Sequence, residues 1–168
     1  MLKWLWLAVA VSGLDQLTKR VAEYQLTQFA PMEILPFLDL SLVYNTGAAF
    51  SLLGAAGGWQ RWLFTALALG VSVVLIEWMR RLQPDERLTA TALALVLGGA
   101  VGNLIDRLWH GHVIDFIDLH YAGYHWPAFN VADSAITVGA VLLIATSLLP
   151  EPPSRIRRGA APDDDPAP

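Results

Sequence analysis

In a chain of 168 residues that is 55% hydrophobic and only 15% charged, too few polar side chains are present to cover a water-soluble globule, and lipid is the expected solvent. The formal charge of −4 owes much to Asp163, Asp164 and Asp165 near the C-terminus; the rest is close to neutral and holds no basic patch interleaved with aromatics, which sets nucleic-acid binding aside. The absence of cysteine excludes disulfides, thiol nucleophiles and thiolate metal sites.

A membrane span needs roughly 20 mostly apolar residues. The first candidate, 4–21, has the basic start and short apolar core of a secretory signal peptide, but no small-x-small pattern closes it. Asp15-Gln16-Leu17-Thr18-Lys19 follows instead, so a retained span is expected. Further spans are expected over 62–79, 88–108 and 133–149, flanked by Trp59, Trp62, Trp78, Trp109 and Trp126 at the headgroup level that indole prefers. Lys3, Arg80, Arg81, Arg87, Arg155, Arg157 and Arg158 then fall on the side of the termini, against Lys19, Arg20, Arg61 and Arg107 opposite. That bias puts both termini in the cytoplasm.

Two segments face outward. Over 37–44, Leu38, Leu40, Leu42 and Tyr44 alternate with Asp39, Ser41 and Val43, which is strand patterning. Asn45-Thr46-Gly47 supplies a turn, 48–53 a possible return strand and 54–58 a glycine-rich stretch. The second outward segment, 111–129, mixes His, Asp, Tyr and Trp with apolar residues and is expected to lie in the interface. Residues 1–149 therefore read as a single polytopic domain, a four-helix membrane bundle with a small extracytoplasmic β-sheet. Residues 150–168 read as a disordered cytoplasmic tail.

The outward mouth of the bundle collects Asp15, Asn45, Asn103, Asp106, Arg107, Asp115, Asp118, Asn130 and Asp133. Charge near hydrocarbon is costly and is a functional hypothesis by default, although any one of these can simply sit in water at a helix end. Asp115 and Asp133 stand out for their apolar or small neighbours. The plainer reading of Asp133 is a cap on the fourth helix. Two carboxylates held close do not both ionise easily, so one keeps a proton while the other takes one from water. That division suits acid–base hydrolysis of a peptide bond, with the pair titrating as a unit. Asp106 and Arg107 point to different helix faces; Arg107 is the better candidate for holding a bound peptide, snorkelling to headgroups being its alternative.

Five segments in order resemble the lipoprotein signal peptidase family, signal peptidase II, over nearly the whole chain. They are Asp15-Gln16-Leu17-Thr18-Lys19, Asn45-Thr46-Gly47-Ala48-Ala49-Phe50-Ser51, Gly99-Ala100-Val101-Gly102-Asn103-Leu104-Ile105-Asp106-Arg107, Val113-Ile114-Asp115-Phe116 and Phe129-Asn130-Val131-Ala132-Asp133-Ser134. The resemblance implies an aspartic endopeptidase of the bacterial inner membrane with Asp115 and Asp133 as its catalytic pair. It further implies that Asp15, Asn45, Asn103, Arg107 and Asn130 line or brace the site. Substrates would be prolipoproteins carrying a diacylglyceryl group on the cysteine before which the chain is cut. The enzyme would act as a monomer among membrane lipids, without cofactor or metal. The glycine-rich stretch and sheet resemble a cradle, and 111–127 a mobile gate.

Two rivals were open at this level. A small proton- or cation-coupled transporter would explain intramembrane acids but not their clustering at one mouth. A metallopeptidase could draw on His110, His112 and an Asp, but His-Glu-x-x-His is absent. Asn45-Thr46-Gly47 looks like the Asp-Thr-Gly of soluble aspartic proteases only superficially, since Asn cannot act as the base.

Overall fold

A helix in hydrocarbon gains nothing by hiding its apolar side chains, so the residues that hold it to its neighbours are small or polar. The computed structural model, which describes residues 1–47 and 58–148, has this inverted pattern. In α1 (Leu5–Gln25), Ala8, Ser12, Asp15, Lys19 and Ala22 form one buried stripe, while Trp6, Val9, Leu14, Leu17 and Val21 are exposed. Likewise α2 (Trp59–Arg81) exposes Trp62, Leu67, Val73 and Val74, and α4 (Val131–Leu148) exposes Val138, Val141 and Ile144. The central helix is α3 (Arg87–Trp109), which packs on the other three.

Glycine sets how close these helices come. A Cβ on Gly98 would lie 2.8 Å from the Ala8 carbonyl oxygen, and one on Gly99 would overlap the Ala132 carbonyl. Only glycine lets α3 meet α1 and α4 backbone to backbone. Ser12 then donates to the Gly98 carbonyl at 2.9 Å, stitching α1 to α3. By length and composition α2, α3 and α4 can each cross a membrane. Helix α2 extends the expected span by three residues at its start and two at its end, α3 by one at each end, and α4 starts two residues early.

Beside the helices lies an antiparallel sheet in the order β1 (Met32–Leu35), β2 (Leu38–Asn45), β3 (Val113–Tyr121), β4 (Tyr124–His125). The strand expected over 37–44 is β2. Its partners are β1 and β3, with Asp39 opposite Asp118 and Val43 opposite Asp115. The expected return strand at 48–53, residues 54–57 of the glycine-rich stretch and the tail 150–168 lie outside the described residues. The segment 111–129, read from sequence without any strand, supplies β3 and β4. The first four residues of β3 are all buried, so no alternation of polar and apolar residues betrays the strand. Ala122 (φ 50°) and Gly123 (φ 83°) form the two-residue turn between them.

The sheet closes one end of the bundle. Ala22 and Leu26 at the end of α1 pack against Leu42, Ile114 and Phe116, and Asp106 near the end of α3 accepts the Ile114 N–H at 3.2 Å. At the same end, Arg61 near the start of α2 donates to the Leu108 carbonyl at 2.8 Å.

Candidate active site

Between the sheet and the adjoining ends of α3 and α4 is a cavity of about 640 Å³, walled by Asn45, Asn103, Arg107, Asp115 and Asp133 together with apolar residues such as Trp126, Phe129 and Val138. Four different elements contribute those polar groups: β2, α3, β3 and α4. Asp115 and Asp133 therefore meet one space although they are carried by a strand and a helix.

Asparagine side chains aim at both carboxylates, and in each case a group able only to donate fixes which way the amide faces. The Gly47 N–H donates to Asn45 Oδ1 at 3.0 Å, leaving Asn45 Nδ2 to donate to Asp115 Oδ2 at 2.9 Å. The Asp133 N–H donates to Asn130 Oδ1 at 2.9 Å, leaving Asn130 Nδ2 for Asp115 Oδ1 at 2.7 Å. The Lys19 ammonium donates to Asn103 Oδ1 at 2.9 Å, leaving Asn103 Nδ2 for Asp133 Oδ1 at 2.7 Å. An ammonium and a backbone N–H have no acceptor, so none of the three amides can reverse without setting donor against donor.

Asn130 also explains the start of α4. It accepts from the Asp133 N–H, and its own N–H approaches Asp133 Oδ2 at 3.4 Å, a reciprocal capping arrangement. The cap is therefore Asn130, three residues before the carboxylate expected to cap the helix. Asp133 still sits in the first turn, where the helix dipole favours negative charge. Asp115 differs: burial pushes its carboxyl up to about 7, and the nearby Asp133 charge adds to this against the Asn45 and Asn130 hydrogen bonds. A carboxyl that holds its proton near neutrality, facing one cavity with a second carboxyl in the first turn of a helix, is an arrangement suited to acid–base chemistry.

Arg107 lines the cavity, with its guanidinium 5.3 Å from the Phe64 ring centroid and Nη1 donating to the Asn103 carbonyl at 3.3 Å. The remaining predicted residue, Asp15, does not reach the cavity. It is fully buried behind it, accepting the Ala132 N–H at 2.9 Å and pairing with Lys19 at 2.8 Å. Asp106 pairs with the same ammonium at 2.8 Å and accepts from Gln16 at 2.8 Å. Sequence reasoning missed Lys19 and Gln16; the available signal was an Asp and a Lys four residues apart within a segment expected to span lipid. Asp118 lies on β3 against His125 at 3.0 Å. His110 contacts Arg20 and His112 packs on Tyr44. Among the described residues no group of three His, Cys, Asp or Glu is placed to hold a metal ion.

Residues 7–149 match the family model described as signal peptidase (SPase) II. A lipoprotein signal peptidase of Burkholderia thailandensis is 53% identical over 145 residues, covering 86% of this chain and 87% of that protein. One from Paraburkholderia phymatum is 52% identical with the same coverage. Two solved structures of bacterial membrane enzymes, determined by the in meso method, superpose with TM-scores of 0.78 and 0.77 at 32% and 31% identity. They cover 87% and 89% of this chain, and the match spans 87% and 94% of theirs.

Proposed function

The chain belongs to the signal peptidase II family, and from that premise we propose that it is an aspartic endopeptidase that removes signal peptides from diacylglyceryl-modified prolipoproteins, cutting just before the lipidated cysteine. The observation that carries the catalytic reading is the convergence of Asp115 and Asp133 on one cavity, each held by an asparagine amide of fixed orientation. Asp133, ionised at the helix start, takes a proton from water as the water oxygen bonds to the scissile carbonyl carbon. Asp115, protonated, hydrogen-bonds the oxyanion that forms. Collapse breaks the C–N bond, and the departing amine takes the Asp115 proton. The products are a carboxylic acid and an amine; the pair ends with its proton on Asp133.

Arg107 and the free side of Asn45 are suited to holding substrate carbonyls. Asp15, Asn103 and Asn130 brace the pair. Four spans are proposed, α1 among them: its Asp15 and Lys19 neutralise each other away from lipid, and its exposed face is apolar. Both termini and the tail 150–168 then lie in the cytoplasm of a bacterial inner membrane, with the sheet and cavity at the outer face. A signal helix can lie beside the bundle while its acyl chains stay in the bilayer, and a monomer suffices.

The test is cleavage of a diacylglyceryl-modified prolipoprotein by the purified protein, beside folded Asp115→Asn and Asp133→Asn variants. Cutting by the parent alone is the expected result. An inactive parent would sink the substrate assignment, and an Asn variant with full activity would sink the catalytic pair.

A further inference from the structure

We propose that Lys19 is a positioning residue of the peptidase reaction: its buried ammonium locks the Asn103 amide so that the amide N–H is aimed at Asp133. The inference rests on the assignment of Asp115 and Asp133 as the reacting pair. Lys19 itself lines no part of the cavity and touches neither aspartate.

The ammonium has three donors and three acceptors are in reach: Asp15 Oδ2 and Asp106 Oδ2, both at 2.8 Å, and Asn103 Oδ1 at 2.9 Å. All four side chains are buried, with Lys19, Asp15 and Asp106 wholly so. The two carboxylates would suffice to pair the charge. The third bond has a different consequence. Asn103 Oδ1 is the common acceptor of Lys19 and of Asn130 Nδ2, the latter at 3.2 Å. Its amide nitrogen lies on the other side, 2.7 Å from Asp133 Oδ1.

With a methyl group in place of the ammonium, one strong donor to Asn103 Oδ1 disappears and the amide can rotate. A reversed amide would set its carbonyl oxygen against the Asp133 carboxylate, in the orientation least able to support negative charge there. Asn130, which shares Asn103 Oδ1 and also holds Asp115 at 2.7 Å, would lose its neighbour in the same movement. Lys19 thus reaches both halves of the pair through amides.

Lys19 also carries charge. The groups facing it are Asp15 on its own helix, Asp106 and Asn103 on α3, and, farther off, Asp115 on β3, whose proton affinity the ammonium reduces. Positioning and charge are separable, because Lys19→Met combined with Asp106→Asn removes one positive and one negative group and leaves the local net charge unchanged.

The experiment measures kcat, KM and the pH profile of cleavage for the full chain in detergent or lipid, with thermal melting as the readout of folding. Lys19→Met/Asp106→Asn is expected to fold, to lose about 100-fold in kcat as for removal of one aimed donor, to change KM by less than about threefold, and to keep the pH profile. Lys19→Met alone should add a shift of the alkaline limb to higher pH, since the lost charge lets Asp115 keep its proton longer. Asn103→Leu leaves every buried charge in place and should show the same kcat defect. Combining it with the Lys19→Met/Asp106→Asn pair should give little further loss, as expected of groups acting as one unit. Wild-type kcat in the charge-balanced variant overturns the proposal, as do defects that multiply. If the charge-balanced variant does not fold, full activity of Asn103→Leu overturns it alone. These outcomes are distinct from failure of the underlying assignment, which would appear as an inactive parent or an active Asp115→Asn.

Discussion

Two pairs of carboxylates occupy the same end of this bundle and have opposite surroundings. Asp15 and Asp106 close around Lys19, with the Ala132 N–H and Gln16 satisfying their other oxygens and the Ile114 N–H sharing Asp106 Oδ2 with the ammonium. Asp115 and Asp133 receive hydrogen bonds from the Asn45, Asn103 and Asn130 amides and open on the cavity. The contrast shows how a membrane protein can carry four acids near one end of its helices. One pair is neutralised and becomes a rigid frame; the other is held by amides, and burial lets one carboxyl retain its proton near neutral pH. Neither arrangement works alone, because Asp15 and Lys19 reach the start of α4 and Asn103, which position Asp133.

The comparison breaks most visibly at the open pair. Asp115→Asn or Asp133→Asn should each lower cleavage by about 10³-fold, the scale of acid–base catalysis, with little change in melting temperature. The frame should respond the other way. A Cβ at Gly102 would lie 2.6 Å from Asp15 Oδ2, so Gly102→Ala must displace a wholly buried carboxylate from Lys19 or from the Ala132 N–H. It should destabilise by about 1–3 kcal/mol, as overpacking does, read by thermal melting, and lower kcat with it. An unchanged melt would mean that the frame is slack.

A pH measurement sharpens the difference further. Asp115 is pushed up to about 7, chiefly by burial, and the reaction needs it protonated, so cleavage should fall as pH rises through that value. Besides Asp133 and Lys19, the groups acting on Asp115 are Asn45 and Asn130, whose N–H donors favour its ionised form. Asn45→Leu removes one of them. Its alkaline limb should therefore move to higher pH, together with a loss of roughly tenfold in rate, a few hydrogen-bond increments at most. Cleavage that instead rises with pH through about 7, with that limb moving to higher pH in Asn45→Leu, would reverse the roles assigned to the two aspartates.

Much of this was legible in residue order, for identifiable reasons. Helices α2, α3 and α4 follow from apolar runs because lipid selects composition directly. β2 follows from Leu38, Leu40 and Leu42 alternating with Asp39 and Ser41. β1 was not legible: it has four residues, all exposed. The end of α1 was placed at Val21, but the helix runs to Gln25 because Ala22 and Leu26 find Ile114 and Phe116 on a sheet remote in sequence. At the site, Asp115 and Asp133 stood out by their apolar neighbours, and Asn45, Asn103 and Asn130 by the family motifs. Lys19 does not, because from sequence alone a basic residue near a span end reads as one of the charges that set orientation. Only the structure reveals that it is wholly buried and neutralised, which makes it a poor surface charge and weakens the outer side of that count further.

The smallest effect is expected at a pair that matches the buried one in spacing and length. Glu77 and Arg81 stand four residues apart on α2 with a contact of 2.8 Å, as do Asp15 and Lys19 on α1. Their side chains are 47% and 77% exposed, whereas those of Asp15 and Lys19 are 0% exposed. Exposed helical pairs are worth about 0.3–0.5 kcal/mol and are screened by salt, while weakening the acceptor of two buried donors, the Lys19 ammonium and the Ala132 N–H, costs about 1–3 kcal/mol even though Asp106 still pairs the ammonium. Glu77→Gln should therefore leave cleavage unchanged and shift melting barely above error, and added salt should erase even that. Asp15→Asn, with the same geometry and the same loss of one charge, should melt several degrees lower and cleave more slowly. Equal responses from the two variants would show that spacing, and not burial, sets the value of these pairs.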